Sequence, residues 1–180
     1  RARVTDLQVP SVLQSLAFAV VQNGTALAQA ATGGTLDFNA ASGSAAIFVT
    51  AKAPTGGSGL FGVQALTTAA TPASLLDSAQ AVGAVSDVRP VTVTNAGRYD
   101  VSLKDVGWPA NFAEIAVAIT QGGQVVGRIL NGGTFFFDAA PGSYLATVVA
   151  KPNGAEGVGL YSLRVAPTAP TVTLTANPTS

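Results

Sequence analysis

Moving the sequence along itself by 99 residues lays one half over the other. Asp6 falls on Asp105, Pro10 on Pro109, Ala17 on Ala116, Gln22 on Gln121 and Gly24 on Gly123. The register holds through Gly33-Gly34-Thr35 on Gly132-Gly133-Thr134, Phe38 on Phe137, Gly43-Ser44 on Gly142-Ser143, and Ala51-Lys52 on Ala150-Lys151. One inserted residue later, Gly59-Leu60-Phe61 meets Gly159-Leu160-Tyr161. A chain that repeats itself this way is expected to hold two copies of one domain, and 180 residues suffice for two small cores of about 80 residues each.

Within each copy the apolar period is two, the signature of a strand that sends alternate side chains to opposite faces. Tyr99, Val101 and Leu103 alternate with Asp100, Ser102 and Lys104. Ile115–Ile119 reads as a strand buried on both faces, turned by Gln121-Gly122-Gly123-Gln124 into Val125–Leu130. Leu16–Val21, Asn23-Gly24 and Thr25–Ala30 repeat that hairpin. Thr134–Phe137 and Tyr144–Ala150 flank a segment whose Pro141-Gly142 favours a turn, and Gly159–Val165 closes the copy. Val88–Thr94, Asn95-Ala96-Gly97 and Arg98–Leu103 read as a hairpin opening copy two, and Pro109 is expected to start one helical turn. Short strands with Gly and Pro punctuation predict an all-β chain of two tandem antiparallel β-sandwiches of jelly-roll or Ig-like kind.

The boundaries follow. Residues 1–66 form the first repeat, 67–87 a linker rich in Ala, Thr and Ser, 88–166 the second repeat, and 167–180 a C-terminal tail. The linker is equally open to being an edge strand or a short helix around Ser74-Leu75-Leu76. Copy one has no counterpart for the first strand of copy two, because residue 1 aligns with Asp100.

Composition narrows the chemistry. Nine basic and nine acidic residues cancel and are scattered singly, so no basic face is expected for nucleic acid. There is no Cys, His or Met, which removes thiolate and imidazole catalysis and the usual zinc or haem ligands. Apolar runs such as Leu16–Val21 fall far short of the roughly 20 residues of a spanning helix. The sequence opens at Arg1-Ala2-Arg3-Val4 inside a strand pattern, so any signal peptide is expected to have been removed. An Ala, Gly, Thr and Val-rich, Lys-poor chain points to a secreted or cell-surface bacterial protein.

Three segments carry a family resemblance: Tyr99-Asp-Val-Ser-Leu103, Phe137-Asp-Ala-Ala-Pro-Gly-Ser-Tyr144 and Gly159-Leu-Tyr-Ser-Leu-Arg-Val165. They resemble the bacterial pre-peptidase C-terminal domain, a small jelly-roll-like β-sandwich. The likeness covers about 95–165 well and 4–66 more loosely, since Ala45 stands for Tyr144 and Phe61 for Tyr161. It implies a non-catalytic appendage of secreted enzymes or surface proteins, some of which bind calcium or polysaccharide. Pro170-Thr-Val-Thr-Leu-Thr-Ala-Asn-Pro178 is similar to the opening strand of a bacterial Ig-like domain.

No catalytic constellation is expected. Gly57-Ser-Gly-Leu-Phe-Gly62 matches the dinucleotide-loop spacing but leads into a strand pattern rather than a helix. A glycosidase-like carboxylate pair would draw on Asp105, Glu114, Asp138 or Glu156, and nothing sets two of them across a cleft. No cofactor is expected. Calcium would have only Asp6 or Asp105 with loop carbonyls, and the simpler role of these aspartates is to cap the turns at Pro10 and Pro109.

Positions where the copies differ give the interface candidates. Phe136 replaces Asp37 and is expected to face outward, and Trp108 replaces Val9 beside the same proline. In the tail, Val172 and Leu174 alternate with threonines, and Thr171–Ala176 resembles Val91-Thr-Val-Thr94. The expected function is a structural or adhesive module acting through self-association or neighbouring domains, with the tail entering the open edge of copy one in the next subunit. The alternative is a carbohydrate-binding accessory pair of a secreted enzyme, with Trp108 and Phe136 as a sugar platform.

Overall fold

The computed structural model describes residues 1–153 and 157–168, all of them strand, turn or irregular chain and none helical. The fourteen strands are β1 (Ala2–Pro10), β2 (Ser15–Gln22), β3 (Thr25–Ala30), β4 (Gly34–Leu36), β5 (Ala46–Lys52), β6 (Gly59–Leu66), β7 (Ser74–Val82), β8 (Val85–Val93), β9 (Gly97–Asp105), β10 (Phe112–Gln121), β11 (Gln124–Leu130), β12 (Gly133–Ala139), β13 (Gly142–Pro152) and β14 (Tyr161–Pro167). They pair antiparallel into four sheets: β4-β1-β6-β7, β3-β2-β5, β11-β10-β13-β8 and β12-β9-β14.

In β1, β6, β10 and β13 alternation assigns the two faces to different apolar clusters. Val4 and Ala2 of β1, Phe61 and Val63 of β6, and Leu16, Phe18 and Val20 of β2 bring the first two sheets together. Val101 and Leu103 of β9, Val117 and Ile119 of β10, and Tyr144 and Val148 of β13 do the same for the other two. The opposite faces of β1, β6 and β10 supply the third cluster, in which Leu7, Val9, Leu60 and Ala79 meet Ala116, Ala118 and Val149. The four sheets are thus layered through three cores, the middle one setting Leu7, Val9 and Leu60 against the small side chains of Ala116 and Ala118. The approach is close at Gly123: a Cβ there would lie 2.6 Å from the Gln64 carboxamide.

Two of the three hairpins expected from sequence form, with two-residue loops, Gln22 opposite Thr25 and Gln121 opposite Gln124. Asn23 and Gly24, and Gly122 and Gly123, all take positive φ (50° to 76°), the backbone that matches strand twist at a tight hairpin.

Three expectations are corrected. Residues 67–87, expected as a linker, contain β7 and the start of β8, so the edge-strand alternative describes them; Ala79 and Ala81 replace the bulky alternation that usually marks a strand. β8 does not form a hairpin with β9: it pairs with β13 from Gly142↔Val93 to Ala150↔Val85, while β9 pairs with β12 and β14. Val93 and Tyr99 both enter the same core, so the chain arches from one sheet to the facing one instead of folding back in plane. Pro109 starts no helical turn, because the Asp105 carboxylate captures the amides of Gly107 and Phe112 and closes the segment as a loop.

Candidate interaction surfaces

Asp6 and Asp105 perform one job twice. Asp6 accepts from the amides of Gln8 (2.8 Å) and Leu13 (2.9 Å), and Asp105 from those of Gly107 and Phe112 (2.8 Å each). Both oxygens of each carboxylate therefore hold backbone, as the turn-capping expectation requires. A second backbone need is met by different residues. Tyr144 Oη accepts from the Ala140 amide (3.1 Å) and donates to its carbonyl (3.0 Å). With Ala45 at the tyrosine's position, the Gln22 carboxamide makes the same pair of bonds to Ala41, each 2.9 Å.

The loop held by Asp105 presents Trp108. Val106 donates to the Leu160 carbonyl and Leu160 to the Trp108 carbonyl, each 3.0 Å, so the indole is carried on an extension of the β9–β14 pairing. Trp108 is exposed, and with Pro109, Val158 and Leu160 it borders a shallow groove of about 460 Å³. Phe136 is also exposed, as alternation on β12 requires, with the Arg98 guanidinium 4.2 Å above its ring. The two aromatics do not converge. Phe136 lies opposite Asp100 and Trp108 follows Asp105, so about 17 Å of strand intervenes. Val172 and Leu174, like Glu156, lie outside the described residues.

A groove of about 580 Å³ that sequence reading missed lies between the edges of β8 and β14, lined by Asp87, Arg89, Val91, Tyr161, Leu163 and Val165. Tyr161 Oη donates to Asp87, which also takes the Arg89 guanidinium at 2.8 Å. Burial, and then this hydrogen bond, push the Tyr161 phenol up to about 12; the same bond, helped by Arg89, holds the Asp87 carboxyl below its ordinary value. The partners lie 74 residues apart, and two of them come from the segment read as linker or its border.

The remaining polar candidates serve the fold. Ser58, within the glycine-rich motif, is buried and donates to Glu114, and the motif runs directly into β6. Lys151 reaches the Gly56 carbonyl (2.8 Å) and Arg128 the Gln8 carbonyl (3.1 Å), both across the middle cluster. Among the described residues no three acidic side chains group as a metal site would require. The chain matches no family model, no curated protein and no solved structure.

Proposed function

We propose that the chain is a non-catalytic structural or adhesive module of a secreted or cell-surface bacterial protein, built from two tandem β-sandwiches of the pre-peptidase C-terminal kind. One observation carries this reading. The sheets β4-β1-β6 and β3-β2-β5 recur, strand for strand in chain order, as β12-β9-β14 and β11-β10-β13. Each set adds one strand the other lacks: β7 beside β6 in the first, β8 beside β13 in the second. Among the described residues the edges of β5 and β14 are left with a partner on one side only.

An edge of unpaired amides and carbonyls accepts a strand from elsewhere. The tail has the chemistry for β5. Val91 and Val93 of β8 pack on the second core two residues apart, and Val172 and Leu174 repeat that spacing between threonines. On β5, Ile47 and Val49 border the first core where such a strand would lie. A tail donated to β5 of the next copy gives a head-to-tail contact that propagates instead of closing.

Light scattering after size exclusion, with negative-stain imaging, tests this on residues 1–180 and on a chain ending at Ala169. Assemblies that become shorter or smaller when the tail is removed are expected; identical behaviour of both chains rejects strand donation. The carbohydrate reading draws on exposed Trp108 alone, since Phe136 sits at the other end of β9. Retention on insoluble polysaccharide that is lost in Trp108→Ala would replace the proposal with it.

A further inference from the structure

The joint between the two halves is a worked example of how this module meets its neighbour. On the first half the joint uses Leu7, Val9 and Leu60, exposed by 4%, 0% and 0%. On the second half it uses Ala116, Ala118 and Val149, all fully buried. The residues at the corresponding positions of the opposite halves are open. Val106, Trp108 and Leu160, which correspond to Leu7, Val9 and Leu60, are exposed by 51%, 65% and 49%. Ala17 and Ala19, which correspond to Ala116 and Ala118, are half-buried, and Thr50, at the position of Val149, is exposed. Three exposed apolar side chains gathered around one loop are more than scattered surface hydrophobes and mark a contact surface.

Resting on the tandem reading above, we infer that the Val106–Trp108–Leu160 patch docks on the Ala17–Ala19–Thr50 face of a second copy of this chain, reproducing the internal joint between molecules. The two faces belong to different halves, so each molecule offers one of each and the contact is heterologous. The first half's Ala17–Ala19 face borders a depression of about 460 Å³ closed on one side by exposed Phe48, room for an indole where the internal joint holds only Val9. The turn beside each face fits the same picture. Gly123 is pressed by Gln64, whereas nothing lies within 4 Å of a Cβ placed on Gly24. Lys52, the counterpart of the joint's Lys151, is exposed. This contact is distinct from strand donation, because it uses sheet faces rather than an edge.

Two full-length variants separate the faces: Trp108→Glu removes the patch and Thr50→Glu blocks its receiver, each at an exposed position that the fold does not use. Sedimentation of the unmodified chain is expected to show concentration-dependent oligomers, and each variant alone to weaken association about tenfold or more, as loss of a buried interface anchor does. An equimolar mixture of the two holds one intact pair of faces, so it should associate more strongly than either variant alone and, when both chains also end at Ala169, should stop at a one-to-one dimer. Circular dichroism unchanged from the parent establishes that both variants fold. An unmodified chain that stays monomeric up to about 1 mM overturns the inference, as does a mixture that forms no dimer. Association that survives both substitutions but disappears in the chain ending at Ala169 also overturns it, while leaving strand donation standing.

Discussion

One leucine in each half measures how much the buried joint contributes to stability. Leu60 is fully buried in the cluster it shares with Ala116, Ala118 and Val149, and Leu160, at the corresponding position, is about half exposed beside Trp108. Truncating a buried leucine costs its transfer free energy plus the cavity left behind, about 2–5 kcal/mol. The alanines facing Leu60 carry only methyl groups, which cannot reach into the void, so about 3 kcal/mol is expected for Leu60→Ala. Leu160 already has much of its surface in water, and Leu160→Ala should cost under about 1 kcal/mol in the isolated chain. Urea unfolding at low protein concentration reads both. With a slope near 2 kcal/mol per molar, the midpoint should fall by about 1.5 M for Leu60→Ala and by less than about 0.5 M for Leu160→Ala. Equal shifts would mean that the joint adds nothing to stability and that the burial contrast between the halves carries no energy.

Asp105→Ala should lose about 2 kcal/mol, because two loop amides lose a charged acceptor, and Asp6→Ala should lose a similar amount for the same reason; urea unfolding of both checks the parallel. Gly127→Ala should be destabilised by about 1–3 kcal/mol, since its Cβ would fall 2.0 Å from the Phe135 ring and drive that ring from its place beside the second core; a thermal midpoint unchanged from the parent contradicts this. Tyr161 has a folded pKa of about 12, above its unfolded value of about 10, so its contribution is complete below pH 10 and is lost as pH rises toward 12. Comparing the alkaline fall in stability of the parent and Tyr161→Phe should show a shallower fall in the variant; superimposable curves reject the buried Tyr161 phenol as its source.

Strand type and turn positions were legible because period two and Gly-Gly or Asn-Gly loops are local properties of the chain. Pairing was not. Val88–Thr94 and Arg98–Leu103 look like a hairpin because both alternate and a turn lies between them, yet their apolar faces both point into one core, which an arch between facing sheets satisfies and a flat hairpin does not. β7 stayed open between linker, edge strand and short helix because it buries only Ala79 and its alanines mark no apolar period. Asp6 and Asp105 were legible as caps because each serves amides within seven residues. The Asp87–Arg89–Tyr161 groove was not, since it is assembled only when the edges of β8 and β14 come side by side.

In the tandem reading, substitution between corresponding positions follows what each position must satisfy. The Ala41 and Ala140 backbone groups need both a donor and an acceptor, and a carboxamide from Gln22 or a phenol from Tyr144 supplies both, so the residue changed while the bonds stayed. At the joint the opposite holds. Val9 and Trp108, or Val149 and Thr50, occupy corresponding places but no longer make corresponding contacts, because one of each pair is sealed inside the chain and the other is open. Sealed positions are held to shape-matched side chains by close packing. Open ones are released from that constraint, and an indole placed among them adds more apolar area to a future contact than any other side chain. In the tandem reading, the chain therefore carries a tight joint that fixes its two halves and a bulkier version of the same joint at its outer faces. The first sets geometry, and the second sets which partner can complete it.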